Sequence, residues 1–177
     1  QGRAGYGVEM KIVDAEGNTL PCDGEAFGEL KVRGPWVTRG YFRDEEGSAL
    51  DGDGWFATGD VATIDGDGYM NIMDRIKDLI KSGGEWISSI ELENLAMSHP
   101  DVMQAAVIGV PDEKWTERPL LIVMPKAGAN PSKEDLLGFF KGKVADWSIP
   151  DDVVIVEELP IGGTGKVQKA ELRKTYG

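Results

Sequence analysis

The run Asp74-Arg75-Ile76-Lys77-Asp78 places four charges in five residues and separates two kinds of sequence. Before it, apolar and polar residues alternate. Val8-Glu9-Met10-Lys11-Ile12-Val13 and Gly28-Glu29-Leu30-Lys31-Val32-Arg33-Gly34 both carry the two-residue period of half-buried strands. Asp14-Ala15-Glu16-Gly17-Asn18 and Asp51-Gly52-Asp53-Gly54 read as turns. Val61-Ala62-Thr63-Ile64, the turn Asp65-Gly66-Asp67-Gly68 and Tyr69-Met70-Asn71-Ile72-Met73 predict a hairpin. No helical period occurs on this side. Residues 1–76 are therefore expected to form a small β-barrel-like subdomain of short strands and glycine-rich turns.

After the run the pattern becomes mixed. Ser88-Ser89-Ile90-Glu91 is a capping box that opens a helix through about Met97, and His99-Pro100 closes it. Val102 to Val110 and Leu120 to Met124 read as buried strands. Ser132-Lys133-Glu134-Asp135 starts a second helix, with Leu136, Phe140, Val144 and Trp147 at helical spacing and Gly138 and Gly142 weakening it. Val153 to Val156 is a short strand and Lys169 to Thr175 a last helix. Residues 77–177 are expected to form an α+β domain, and the chain as a whole falls in the α+β class.

Composition narrows the functions available. The 177 residues are 41% apolar, enough for a real core. A net charge of −12 argues against binding nucleic acid through a basic face, which needs clustered cations against phosphates. It leaves room for a small phosphorylated ligand held by one or two local cations. The charge is uneven: residues 1–76 hold 7 basic and 15 acidic groups, and residues 77–177 hold 12 and 16. The single cysteine, Cys22, excludes an internal disulfide and suits a reducing compartment. No apolar run is long enough for a transmembrane segment, and no leader opens the chain.

Four segments could carry chemistry. Gly163-Thr164-Gly165-Lys166 is not a Walker A loop, because Pro160 stands where the first glycine belongs and Val167 where Ser or Thr belongs. It leaves a lysine on a flexible loop before a helix. Such a lysine can meet charge developing on a carboxylate or phosphate, or it can be an ordinary solvated side chain. Asp60, in Trp55-Phe56-Ala57-Thr58-Gly59-Asp60, could accept from the vicinal hydroxyls of a ribose or could cap a turn. Arg75 could pair with phosphate or ribose oxygens, or could belong to a charged linker. Lys81-Ser82-Gly83-Gly84-Glu85-Trp86 reads as a loop before a helix N-terminus, with glycines that let backbone approach a ligand or take positive φ. The Asp-Gly-Asp-Gly stretches fail the EF-hand pattern, since Tyr69 and Met70 occupy the fifth and sixth positions after Asp65. His99 is the only histidine, so neither a zinc cluster nor a Ser-His-Asp set is signalled.

In order and spacing, Gly54-Trp55-Phe56-Ala57-Thr58-Gly59-Asp60, Asp74-Arg75-Ile76-Lys77-Asp78, Lys81-Ser82-Gly83-Gly84-Glu85-Trp86-Ile87, Pro160 and Gly163-Thr164-Gly165-Lys166 resemble the adenylate-forming ligases. Those are the acyl-CoA synthetases, peptide-synthetase adenylation domains and firefly-type luciferases. The likeness covers essentially the whole chain and is strongest to medium- and long-chain fatty acyl-CoA synthetases. It implies that Asp60 holds the ATP ribose hydroxyls, that Arg75 also contacts the nucleotide, and that Lys77 is the hinge of a mobile C-terminal domain. Ser82, Gly83, Gly84, Glu85 and Trp86 would enter the site for the second half-reaction and line the CoA pantetheine channel. Lys166 would be the catalytic lysine of the first. Asp74 departs from members with glycine before the arginine. The substrates implied are a fatty acid, ATP with Mg²⁺, and CoA. The nucleotide, Mg²⁺ and the acyl pocket would rest mainly on an upstream Ser/Thr/Gly-rich domain that is absent from these residues. No metal ligand is expected in this part. Residues 1–76 would be the last subdomain of the large domain and residues 77–177 the mobile lid, inactive by themselves. An aryl- or amino-acid-activating ligase and a non-catalytic binding module are the rival readings. The resemblance further implies a cytoplasmic protein, with peripheral membrane association and a homodimer left open.

Overall fold

A computed structural model describes residues 2–42 and 49–177. The chain divides into two compact units, Gln1–Lys77 and Asp78–Gly177. In the first, four strands follow in chain order: β1 (Glu9–Val13), β2 (Phe27–Arg33), β3 (Phe56–Ile64) and β4 (Met70–Arg75). They make an antiparallel sheet in the order β1-β2-β3-β4. The sheet is an open meander, not the closed or barrel-like form expected. Each strand pairs with the one before it in the chain, and a short aspartate-capped turn joins β3 to β4. Asp65 Oδ1 accepts the amides of Asp67 and Tyr69 at this expected hairpin. The alternation seen in sequence places Ile12, Leu30, Ala62 and Ile64 in one buried cluster.

The second unit is built on a long antiparallel pair, β7 (Val102–Asp112) and β8 (Thr116–Pro125). Short strands β5 (Ile80–Ser82) and β6 (Glu85–Ile87) extend the sheet in the order β6-β5-β8-β7. The free edge of β8 is shared: β5 meets it at Thr116, and the parallel β9 (Asp152–Ile155) meets it from Leu120 to Val123. Helices α1 (Ser89–Met97) and α2 (Lys133–Gly138) lie over one face and α3 (Lys169–Tyr176) over the other. Alternate residues of the central strands feed the two cores. Val107, Leu121 and Val123 join Leu92, Leu136 and Phe140, whereas Ala106, Ile108 and Ile122 join Leu159 and Leu172. A strand buried on both faces reads as an unbroken apolar run, as Ala105-Ala106-Val107-Ile108 does.

The capping box forms as read: Ser88 Oγ accepts from the Glu91 amide at 3.1 Å. The second helix is shorter than its periodicity predicts. It stops at Gly138, and Gly142 adopts φ +71°, a left-handed conformation that breaks the helical path before Trp147. Trp147 instead sits in a 3₁₀ turn, Asp146–Ser148.

This gives an asymmetric pair. Phe140→Ala should cost about 3–5 kcal/mol, because the ring is 1% exposed within the core, and Trp147→Ala, with the residue 48% exposed, far less. Equal losses in urea titrations would contradict the packing. In the first unit, the Trp55 amide donates to Asp51 Oδ1 at 2.9 Å and is the main cause holding that carboxyl below its ordinary value. A depressed folded pKa adds stability above the unfolded value and loses it as pH falls through the folded one. The Trp55 amide resonance should therefore titrate with a midpoint below the ordinary value of an aspartate carboxyl. A midpoint above that would contradict the bond.

Candidate functional site

The antiparallel register of β3 and β4 sets Asp60 opposite Arg75, and Arg75 Nε lies 3.2 Å from Asp60 Oδ1. The strands hold both ends of this pair. The Asp60 amide donates to Thr58 Oγ1, whose hydroxyl donates to the Leu30 carbonyl, and the Ile76 amide donates to the Gly59 carbonyl. Arg75 is 53% exposed, which leaves its guanidinium accessible to an anion or hydroxyl, and Asp60 presents a carboxylate beside it. The pair can grip a polyhydroxylated or phosphorylated ligand. Asp74, the residue that departs from the family pattern, is fully buried, and its Oδ1 accepts the Arg75 amide at 2.7 Å. Its carboxylate thus faces the strand's own backbone rather than solvent. Lys77 is exposed in the turn after β4 and is the last residue of the first unit.

In the second unit, Lys81-Ser82-Gly83-Gly84-Glu85-Trp86 is not the strand-to-helix loop expected. It is a β-hairpin: Ser82 pairs with Glu85, and Gly83 and Gly84 form a two-residue turn at φ +61° and +89°. That turn demands positive φ at both central residues, which glycine alone supplies without strain. Helix α1 begins only after Ser88, so the glycines do not adjoin its N-terminus. The Gly83 amide donates to the Trp115 carbonyl at 2.8 Å, and a Cβ on Gly83 would sit 2.5 Å from the Trp115 ring. Glu85 is exposed, and Lys81 Nζ lies 5.5 Å from the centre of the half-exposed Trp86 ring. Arg118, a residue that no sequence motif singles out, bonds to the hairpin. Its Nη1 donates to Ser82 Oγ at 3.0 Å, and its guanidinium pairs with Asp151 at 2.6 Å. The Asp151 carboxylate raises the Arg118 pKa further above its already high value.

Lys166 is exposed at the end of a tight loop. The Gly162 amide donates to the Lys166 carbonyl, the Gly165 amide donates to the Gly162 carbonyl, and Ile161 bridges Val167. The arrangement presents a lysine ahead of α3 on a short glycine-rich scaffold. Two further residues of α3 also escaped sequence reading. Lys169 Nζ lies 2.6 Å from both Glu93 Oε1 and Ser89 Oγ, and Glu93 Oε1 also accepts the Val107 amide at 2.8 Å. Arg173 pairs with Asp78 at 2.7 Å, which ties α3 to the first residue of the second unit. Spacing gives no hint of partners so distant in the chain.

Among the described residues no group of His, Cys, Asp and Glu is placed to hold a metal ion. An open hollow of about 420 Å³ in the first unit, lined by Arg3, Cys22 and the Asp65–Gly68 turn, contains none of the expected site residues.

Residues 91–166 match the AMP-binding enzyme C-terminal domain. That stretch belongs to the AMP-binding enzyme C-terminal domain family. Over 99% of its length it is 60% identical to a 3-methylmercaptopropionyl-CoA ligase of Ruegeria pomeroyi, covering 32% of that protein. It is 55% identical over its whole length to a medium-chain-fatty-acid–CoA ligase of Ectopseudomonas oleovorans, again covering 32% of it. ATP-bound MatB from Rhodopseudomonas palustris superposes with a TM-score of 0.88 at 36% identity, over 98% of this chain and 35% of that one. The chain thus spans about a third of the length of the curated relatives it matches. The AMP-binding-enzyme domain accounts for most of the second unit, and the relatives extend the likeness through the first. No helix among the described residues is long and apolar enough to cross a membrane.

Burial separates structural from exposed cations. Lys169 and Glu93 are only 13% and 15% exposed, so Lys169→Met should cost about 3 kcal/mol by leaving a carboxylate without its cation. Arg75→Met should cost less, because the Arg75 side chain is 53% exposed and screened by solvent, although Asp60 beside it is only 19% exposed. Urea unfolding checks both, and a reversed order would contradict the assignment.

Proposed function

We propose that this chain is the C-terminal part of an ATP-dependent, AMP-forming CoA ligase that acts on a fatty or related aliphatic carboxylic acid. Residues 1–76 are the last subdomain of its large domain and residues 77–177 its mobile lid, with Lys77 at the hinge. The observation that carries this reading is the likeness, at 55–60% identity over 99–100% of the chain, to proteins named as CoA ligases. Supporting it, the first unit exposes Tyr6, Trp36, Tyr41 and Phe42 around a small core, as a subdomain that packs on further polypeptide does. Taken alone, the chain is expected to be inactive.

The chemistry has two steps. A carboxylate oxygen attacks the α-phosphorus of ATP, the bond to the β-phosphate oxygen breaks, and pyrophosphate leaves. Lys166 supplies positive charge where it builds up between carboxylate and α-phosphate. Asp60 accepts from the ribose hydroxyls, and Arg75 contacts the nucleotide beside it. The CoA sulfur, having lost its proton, then attacks the acyl carbon; the acyl–phosphate oxygen bond breaks and AMP leaves. For this step the Ser82–Trp86 hairpin replaces Lys166 at the reacting centre, a rearrangement that lets one cleft serve two reactions. Mg²⁺, which would screen the phosphates in the first step, would rest mainly on the upstream domain.

The acid is tested directly. Full-length parent enzyme with ATP, Mg²⁺ and CoA should release AMP in the presence of octanoate, palmitate or 3-methylmercaptopropionate, and the preferred acid fixes the class. Release with aryl acids alone would move the assignment to the aryl ligases, and release with none would favour a non-catalytic module. In the same protein Lys166→Ala should slow adenylate formation by about 10²-fold or more. Thioester formation from supplied acyl-adenylate should fall far less, and equal losses would remove Lys166 from its role.

A further inference from the structure

Arg118 lies on β8 between Thr116, where β5 meets that strand, and Leu120, where β9 begins to pair. Its guanidinium spans the gap between the two short strands. Nε donates to both Asp151 carboxylate oxygens at 3.0 and 2.9 Å. Nη1 donates to Ser82 Oγ at 3.0 Å and the Trp147 carbonyl at 2.6 Å; Nη2 donates to the Ile149 carbonyl at 3.1 Å and Asp151 Oδ1 at 2.6 Å. Every one of its five N–H donors is engaged, on a side chain only 12% exposed. The neighbouring Glu117 grips the same hairpin from the other face of the sheet, its Oε2 accepting the Lys81 amide at 2.9 Å. The Gly83 amide bonds the Trp115 carbonyl at the tip. Three successive residues and the next, Trp115 to Arg118, thus fix a hairpin that itself has only three residues per strand.

We propose that Arg118 is a positioning residue for thioester formation: its five-donor fork sets the height and angle of the Gly83–Gly84 turn by clamping Ser82 to Asp151 and to the Trp147–Ile149 backbone. This rests on the reading above, in which that hairpin serves the CoA step. None of the hydrogen bonds of the Arg118 fork reaches Lys166 or α3. Loss of the fork therefore falls on the second half-reaction. A lysine cannot replace it, because one ammonium cannot bond a hydroxyl, two carbonyls and a bidentate carboxylate at once.

The test uses the full-length parent with R118M, R118K and S82A. Pyrophosphate release in a single turnover reports the first step; thioester formation from supplied acyl-adenylate and CoA reports the second. R118M should slow the second step about 10²-fold, the size of effect expected from misplacing a positioned group by about 1 Å. It should slow the first far less, and R118K should not restore the rate. S82A, which removes one hydroxyl and keeps the fold should R118M fail to fold, should slow the second step selectively by a smaller factor. Equal loss in both steps, rescue by R118K, or an unaffected second step in S82A would overturn the proposal. A wild-type parent that makes neither adenylate nor thioester would instead overturn the ligase reading itself.

Discussion

The second unit hangs on one ladder. Strands β7 and β8 pair from Val102–Pro125 to Asp112–Thr116 and are buried on both faces. Every other element is placed by reference to them. Helix α1 docks through Leu92 and through Glu93, which takes the Val107 amide as an acceptor. Helix α3 packs Leu172 on the opposite face. The free edge of β8 receives β5 and β9, and the Ser82–Glu85 hairpin with them. A loop needs a rigid base if it is to present groups reproducibly, and a ladder buried on both faces along its centre is such a base.

Charge is used differently inside and outside. The chain is strongly acidic, so a buried carboxylate risks repulsion as well as desolvation. The fold answers with cations from afar: Lys169 for Glu93 and Arg173 for Asp78. Both cations sit on α3, directly after the Lys166 loop. That loop is therefore bounded by a helix fixed through its side chains, while Lys166 itself carries its charge into solvent. A mobile-looking glycine loop gains a fixed point of attachment this way without the lysine being spent on structure.

How far the sequence discloses this depends on whether the signal is local. Strand alternation around Ile12 and Leu30, the Asp65–Gly68 turn and the Ser88–Glu91 capping box each involve residues a few positions apart, and each forms as read. The Gly-Gly pair was legible as a place needing positive φ but not as a hairpin, because three-residue strands carry too little alternation to register. The second helix was overread: four apolar residues at helical spacing outweighed Gly138 and Gly142, and the glycines prevailed. The motif residues Asp60, Arg75 and Lys166 could be named from order and spacing. Arg118, Lys169 and Arg173 could not, since their partners lie 33, 80 and 95 positions away in Asp151, Ser89 and Asp78, and only the tertiary fold joins them.

The placement of the motifs carries its own argument. Asp60 and Arg75 are joined by the register of one sheet and belong entirely to the first unit; the Ser82–Trp86 hairpin and Lys166 belong entirely to the second. The division falls between Lys77 and Asp78. Within the second unit the hairpin is fixed through β8 and Arg118, and the lysine loop precedes a helix fixed through Glu93 and Asp78. Each chemical group is thus tied to a rigid part of its own unit rather than to the segment joining the units. If the segment at Lys77 changes conformation, the groups move as members of intact bodies, and their local geometry survives the change. An enzyme that must exchange one catalytic loop for another between two steps requires this property, because the precision of each loop has to outlast the motion that delivers it.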